Sequence, residues 1–176
     1  KIKPDITTFA KALGNGFTIA AVGGKKEIMN KLAPGGNVYQ ASTFAGNPIS
    51  VTAAINSIKT INKNKNKLYA KLERNCELLT SEIDDLATDH KIPHQINSIA
   101  SMFQIFFTDQ EEISNYRDFC KSVDRLKFRD FALKLFDKGI YMNPSATLHS
   151  LSSIVHTEED IEVTARAISE TLDEMP

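Results

Sequence analysis

Residues 5–16 read DITTFAKALGNG, a run in which Lys11 stands between small or apolar neighbours and a pair of glycines. Gly14 and Gly16 predict a tight turn directly after the lysine. A lysine with such neighbours is poorly suited to a solvated surface, and burial disfavours the charged form of an amine. The run therefore predicts a desolvated lysine that can act as a nucleophile towards a carbonyl carbon.

A second run, YQASTFAGNP at residues 39–48, places two hydroxyl side chains just ahead of a helix. Asn47 and Pro48 are typical of the N-cap and the first position of a helix. Ser42 and Thr43 offer hydroxyls and backbone N–H groups that can bind a phosphate oxygen. The same residues also suit a turn with purely local capping, so the loop alone leaves both interpretations open.

In this order and spacing, the two runs resemble the class III branch of the pyridoxal-phosphate aminotransferases, and most closely its glutamate-1-semialdehyde 2,1-aminomutases. The likeness continues along the chain through SMFQIFFT at residues 101–108, GIY at 139–141 and HTEEDI at 156–161. The resemblance implies an α/β fold, the C-terminal half of a fold-type I (aspartate aminotransferase-like) enzyme. It also implies that the residues missing from this half precede Lys1, and that the chain alone is not a competent enzyme.

The resemblance further implies pyridoxal 5′-phosphate as the cofactor and a small-molecule amino compound as the substrate. Lys11 matches the lysine that forms the Schiff base with the cofactor and moves a proton between substrate and cofactor. Thr43 matches the threonine that binds the cofactor phosphate in the active site of a partner subunit, and Ser42 lies beside that phosphate. A homodimer with a shared active site is the expected assembly.

The substrate stays open between two classes. The aminomutases carry a glutamate facing the substrate after a Pro-Ser pair, whereas the corresponding position here is Leu148. The turn sequence KALGNG at residues 11–16 is also closer to that of general class III transaminases. A transaminase of a β- or ω-amino acid or an amino-sugar precursor is the alternative to an aminomutase, and a non-catalytic relative of the fold is the third reading.

The chain is expected to divide into two domains. Residues 1–66 would form the C-terminal part of the large cofactor-binding domain, and residues 67–176 the small α+β domain with an antiparallel sheet. Lysines and asparagines interrupt the apolar pattern at residues 62–66, which predicts a boundary or hinge there.

Apolar spacing predicts most elements. Steps of three and four residues from Leu68 to Leu86 give a helix with one apolar stripe, which places Cys76 in the core. Thr157 and Asp160 predict a capping box at the start of a terminal helix. The other expected elements are strands at 18–22, 99–108, 140–142 and 151–155, and helices at 25–32, from Asn47 and at 128–136.

Composition and charge exclude several other classes. The 176 residues carry 21 basic and 22 acidic side chains, for a net charge of -1. The sequence therefore lacks the excess of positive charge that is typical of proteins that bind nucleic acid or an anionic membrane. No apolar stretch reaches the roughly 18 residues of a membrane span, and the expected compartment is the cytoplasm.

No metal site is expected, because Pro93 interrupts any helix joining His90 to His94. The two cysteines are expected to be reduced core thiols.

Overall fold

The structure, a computed structural model, describes residues 2–175 and divides the chain into two compact units. The first unit ends at Lys65 and the second begins at Asn66. The first consists mainly of turns around a two-stranded antiparallel ladder, and the second contains a three-stranded antiparallel sheet. The assignment of these units to a large and a small domain of a longer enzyme stays a prediction.

The ladder of the first unit joins β1 (Ile6–Phe9) to β2 (Ala21–Gly24), with Ile6 opposite Gly24. A Cβ added at Gly24 would lie 2.5 Å from the Asp5 carbonyl oxygen, so the close approach of the strands requires glycine there. The strand predicted at residues 18–22 begins later, at Ala21. Strand β1 was not predicted, because its central threonines give it the polar character of a loop.

The short helix α1 (Lys26–Met29) follows, and the long helix α2 (Pro48–Asp89) begins at the predicted cap. The Asn47 side-chain oxygen accepts hydrogen bonds from the backbone N–H groups of Ile49 and Ser50, both at 3.1 Å. This confirms the predicted start of the helix.

The division between the two units at Lys65 falls within the boundary predicted at residues 62–66, but the secondary structure does not break there, because α2 continues through these residues. Residues 49–92 contain neither glycine nor proline, and exposed lysines and asparagines lower helix stability only slightly. The Asn64 side-chain amide also donates a hydrogen bond to the Thr60 carbonyl of the preceding turn, at 3.2 Å. The apolar pattern stops here because every side chain from 58 to 67 is exposed.

The sheet of the second unit has the order β3-β4-β5 and is antiparallel throughout. Its strands are His94–Ile99, Met102–Phe107 and Ser150–Leu151. The predicted strand at 99–108 corresponds to β4, and β3 was missed. The strand predicted at residues 140–142 is absent, although Met142 is buried in the core and Ile140 packs against it.

Three further helices complete the second unit: α3 (Tyr116–Ser122), α4 (Arg125–Asp137) and α5 (Glu158–Asp173). The predicted stripe of α2 does face the core, where Cys76 and Ile83 are buried. Phe107 of β4 packs edge-on against Phe131 of α4, with ring centroids 5.4 Å apart. Phe136, the last residue of the helix predicted at 128–136, is 60% exposed.

The predicted capping box of α5 is confirmed. The Thr157 hydroxyl accepts from the Asp160 backbone N–H at 3.2 Å, and the Asp160 carboxylate accepts from the Thr157 N–H at 2.7 Å. The carboxylate also accepts from the Thr157 hydroxyl at 2.8 Å, and the bonds from the backbone N–H and the hydroxyl of Thr157 lower the pKa of Asp160. Both cysteines carry free thiols, but only Cys76 lies in the core, since Cys120 is exposed. Among residues 2–175, no helix is both long and apolar enough to cross a membrane.

His90 connects the end of α2 to the end of α5. Its Nδ1 lies 2.7 Å from the Leu86 carbonyl oxygen, and its Nε2 lies 3.0 Å from an Asp173 carboxylate oxygen. Because both partners are acceptors, the protonated ring satisfies both. The Leu86 carbonyl and then the Asp173 carboxylate raise the pKa of His90, against the opposing effect of desolvation.

A raised pKa in the folded state means that this contact stabilises the fold at pH values below the ordinary histidine pKa of about 6.5. The stabilisation is lost as the pH rises through the raised folded value. At pH values below 6.5, we therefore expect Asp173→Asn to unfold at a lower urea concentration than wild type. This difference in urea midpoint should shrink at alkaline pH. Asp85→Asn, an exposed carboxylate of α2, is the control, and a difference independent of pH would contradict the assignment.

Candidate active site

Lys11 lies where the chain leaves β1, in a single 3-10 turn at Lys11–Leu13. The Leu13 N–H donates to the Ala10 carbonyl and the Gly14 N–H to the Lys11 carbonyl, both at 3.1 Å. The Asn15 N–H also donates to the Lys11 carbonyl, at 3.2 Å. The backbone of the lysine is therefore held by hydrogen bonds on its C-terminal side.

The backbone at Lys11 adopts the left-handed conformation, with φ of 52°. For a residue with a Cβ this costs about 1–2 kcal/mol. Gly14 allows the turn to close, since a Cβ there would lie 2.3 Å from the Phe17 carbonyl oxygen. Strain of this kind persists only where the surrounding structure imposes it, and it is concentrated at functional sites.

The side chain of Lys11 is exposed, which contradicts the desolvated environment predicted for it. Within residues 2–175 its amine has no hydrogen-bond or ion-pair partner. The physical reason is the size of the neighbours, because Ala10 and Ala12 are exposed and too small to cover a lysine side chain. The described residues thus supply the geometry of the lysine but not its burial.

Ser42 and Thr43 lie in the turn that leads into α2. The Ser42 hydroxyl oxygen accepts from the Phe44 N–H at 3.3 Å, and its carbonyl accepts from the Ala45 N–H at 3.0 Å. Gly46, with φ of 72°, completes the turn. In the part of the chain that the structure describes, neither the hydroxyl nor the N–H of Thr43 has a partner, so both remain available as donors.

The structure does not join these site residues into one constellation. No hydrogen bond among residues 2–175 links Lys11 with Ser42 or Thr43. One cavity of about 790 Å³ lies in the second unit and is lined by His149, His156 and Glu159, among others. Another, of about 430 Å³, lies in the first unit beside Phe17 and Pro48, but its lining does not include Lys11, Ser42 or Thr43. Leu148 is 48% exposed, and a leucine cannot supply the carboxylate that the aminomutase motif has at this position.

Three of the four histidines, His90, His94 and His156, have separate structural partners. The Ser153 N–H donates to His156 Nδ1 at 3.2 Å, and the Asn75 amide donates to the His156 carbonyl at 3.1 Å, so this histidine holds the corner before α5. His94 contacts the Ile92 carbonyl and the Asp84 carboxylate, not His90. Over residues 2–175, no group of three or more His, Cys, Asp and Glu side chains is placed to hold a metal ion.

Sequence reasoning missed Gln104, a buried residue of β4 that lines two smaller cavities of the second unit. The residue stands within the otherwise apolar run MFQIFF, where the periodicity predicts only a buried strand. The single polar residue in that run was the available signal.

A family model of class III aminotransferases matches residues 1–172 of the chain. The chain is 60% identical over 166 residues to the glutamate-1-semialdehyde 2,1-aminomutase of Nitrosopumilus maritimus (strain SCM1), an alignment that covers 94% of this chain and 39% of the relative. It is 50% identical over 160 residues to glutamate-1-semialdehyde 2,1-aminomutase 1 of Cenarchaeum symbiosum (strain A), covering 91% and 38%. The chain thus spans about two fifths of the length of these curated relatives.

Solved structures share the fold at low sequence identity. A glutamate-1-semialdehyde aminomutase from Pseudomonas aeruginosa PAO1, in complex with PMP, superimposes with a TM-score of 0.82 over 99% of this chain and 40% of its own, at 16% identity. An ω-transaminase from Sphaerobacter thermophilus gives 0.80 over 98% and 39%, at 21% identity. The predicted fold class, part of a fold-type I enzyme, is confirmed.

The left-handed backbone at Lys11 can be tested apart from the amine. We expect the free energy of unfolding of Lys11→Gly, measured by urea denaturation, to exceed that of Lys11→Ala by about 1 kcal/mol. The reason is that glycine has no Cβ to strain this conformation. Both variants lose the amine, so their difference reports the backbone alone. Lys63, exposed in the interior of α2, is the control, where the order should reverse because alanine is the better helix former. The same order at both positions would contradict the strain.

Proposed function

This chain belongs to the class III aminotransferase family, and from that we propose that the full protein is a pyridoxal-phosphate enzyme that moves an amino group, acting as a glutamate-1-semialdehyde 2,1-aminomutase. The observation that carries the proposal is Lys11, a lysine with a free amine on a strained turn at the position where the class III motif has its lysine. The names of the two relatives at 60% and 50% identity support the choice of substrate.

The donor groups at the two loops fit pyridoxal 5′-phosphate, which presents an aldehyde and a phosphate. The Lys11 amine suits the aldehyde, because a primary amine adds to a carbonyl carbon. The unpaired hydroxyl and N–H of Thr43 suit a phosphate oxygen, with Ser42 beside them. When bound, the cofactor supplies an electron sink for negative charge at the substrate carbon that carries the amino group.

Lys11 would hold the cofactor covalently through Nζ and, once the substrate amine has displaced it, carry a proton between carbon atoms. Both tasks need a neutral amine for part of the cycle. Burial provides such an amine, and Lys11 is exposed in this chain. The remainder of the protein would therefore cover it. The fixed backbone turn orients the lysine, so that its movement is restricted to the side chain.

We further propose a cytoplasmic homodimer in which Ser42 and Thr43 bind the phosphate of the partner's site. The absence of any hydrogen bond between Lys11 and Thr43 within residues 2–175 agrees with roles in two different sites. Large apolar side chains beside the two loops are exposed, which favours a protein partner over them: Phe17, Tyr39, Phe44 and Ile49. Residues 1–66 would belong to the large domain and residues 67–176 to the small one.

The second candidate function is that of a class III transaminase with a different amino substrate. It is favoured by Leu148, which stands where the aminomutase motif has a glutamate. The two activities differ in their need for an amino donor. An aminomutase converts glutamate-1-semialdehyde without any added donor, because the nitrogen stays within the molecule. A transaminase consumes a separate amino donor and releases the corresponding carbonyl compound, so turnover of the semialdehyde alone separates the candidates.

The covalent role of Lys11 predicts a specific modification. When the full-length protein is loaded with pyridoxal 5′-phosphate and reduced with borohydride, peptide mass mapping should find the pyridoxyl group on Lys11. The label should disappear in Lys11→Ala and remain in Lys25→Ala, a nearby lysine paired with Asp5. A label on another lysine, with Lys11 unmodified, would contradict the assignment.

The phosphate role of Thr43 predicts a loss of cofactor affinity. Thr43→Val removes the hydroxyl at nearly constant volume, and a hydrogen bond to a charged group contributes about 1.5–3 kcal/mol. We therefore expect the dissociation constant of the cofactor to rise about tenfold or more, measured by equilibrium dialysis with the absorbance of the cofactor. Thr18→Val, at an exposed position of the same unit, should leave it unchanged. Equal affinities of Thr43→Val and wild type would overturn this role.

A further inference from the structure

The loop that leads into α2 is closed by two consecutive turns. In the first turn, the Ala45 N–H donates to the Ser42 carbonyl at 3.0 Å. In the second, the Asn47 N–H donates to the Phe44 carbonyl at 3.1 Å. The Phe44 N–H also donates to the Ser42 hydroxyl oxygen at 3.3 Å. These bonds give the loop a single backbone path from Ser42 to the start of the helix.

Thr43 lies at the corner of the first turn. The N–H of a residue at this position takes no part in closing the turn. In the part of the chain that the structure describes, neither the N–H nor the hydroxyl of Thr43 has a partner, and the residue is exposed. The loop therefore uses the N–H groups of Phe44 and Ala45 internally and leaves both donors of Thr43 open.

Gly46 makes the second turn possible. It is the third residue of that turn and has a φ of 72°, as a type II turn requires. A residue with a Cβ is strained in this conformation. A Cβ added at Gly46 would meet nothing within 4 Å, so only the backbone conformation opposes another residue there.

Asn47 joins the second turn to α2. Its side-chain oxygen accepts from the N–H groups of Ile49 and Ser50, both at 3.1 Å, and its carbonyl accepts from the Val51 N–H at 2.9 Å. Its own N–H closes the turn on the Phe44 carbonyl. One residue thus fixes the end of the loop to a helix of 42 residues.

We propose that Gly46 and Asn47 are positioning residues for the cofactor phosphate. They hold the loop in the conformation that leaves the N–H and the hydroxyl of Thr43 free to donate, and neither needs to touch the cofactor. The inference rests on the proposed phosphate role of Thr43. A loop that also adopts other conformations binds more weakly, in proportion to the fraction of molecules in the competent one.

Two ligands separate this role from a general loss of stability. Pyridoxal has the ring and the aldehyde of pyridoxal 5′-phosphate but carries a hydroxyl in place of the phosphate. Dissociation constants of both for the full-length protein are measured by equilibrium dialysis. We expect Asn47→Ala to raise the constant of pyridoxal 5′-phosphate about fivefold, the ratio that corresponds to a typical N-cap. The constant of pyridoxal should not change.

The conservative variant tests the cap itself. Serine at position 47 supplies a capping oxygen without the amide, so Asn47→Ser should restore most of the affinity for pyridoxal 5′-phosphate. Its affinity for pyridoxal should equal that of wild type.

Gly46 provides a second test that leaves the cap of α2 intact. Gly46→Ala strains the turn and should weaken pyridoxal 5′-phosphate binding selectively, as Asn47→Ala does. Gly46→Asn should lose less affinity, because asparagine tolerates the left-handed conformation better than alanine.

Matched substitutions in the second unit control for stability. Asn115→Ala removes the N-cap of α3, where the side-chain oxygen accepts from the N–H groups of Arg117 and Asp118 at 2.9 and 3.2 Å. Gly139→Ala strains a glycine with φ of 84°, which also has nothing within 4 Å of an added Cβ. Both controls should lower the urea midpoint and leave the affinity for either ligand unchanged.

A double-mutant cycle tests whether Asn47 acts through Thr43. In the Thr43→Val background, Asn47→Ala should reduce the affinity for pyridoxal 5′-phosphate by a smaller factor than in wild type, because one of the donors that it positions is gone. Three results would overturn the inference: an unchanged affinity in Asn47→Ala, an equal loss for pyridoxal, or factors that multiply without coupling. An unchanged affinity in Thr43→Val alone would overturn the proposed phosphate role as well, so the two failures are distinguishable.

Discussion

The unbroken backbone hydrogen bonding of α2 is the constraint on which the rest of the structure depends. At its start, the Asn47 cap fixes the turn that presents Ser42 and Thr43. In its second half, Cys76 and Ile83 enter the core of the second unit. Lys71 and Asn75 reach from the same helix to the carbonyls of Ile154 and His156, at 2.6 and 3.1 Å, and hold the segment before α5. A break in this helix would disturb all three.

The two units use their residues differently. The second unit gains its stability from closely packed aromatic and aliphatic side chains, such as Phe128 and Leu135, which are almost fully buried. Among its described residues, the first buries a single hydrophobic side chain, that of Ala54. The packed core of the chain thus lies in the second unit, while the proposed site residues Lys11, Ser42 and Thr43 lie in the turn-rich first unit.

Local signals in the sequence predicted what local physics determines. Three such signals are the capping box at Thr157, the N-cap at Asn47 and the apolar stripe around Cys76. Each depends on residues close together in sequence, and all three are present in the structure. Predictions that depended on distant residues fared less well. The helix through residues 62–66 has no apolar face to reveal it, and the exposure of Lys11 depends on what covers it. The burial of Gln104 becomes evident only when the strands are paired.

The exposed middle of α2 has a consequence for how the chain folds. Residues 58–67 bury no side chain, so local hydrogen bonds along the helix, and not packing, hold them in a helix. Starting a helix is costly while extending one is not. Whichever unit folds first therefore provides a finished helical end from which the segment can grow into the other. The backbone of this segment thus couples the folding of one unit to that of the other.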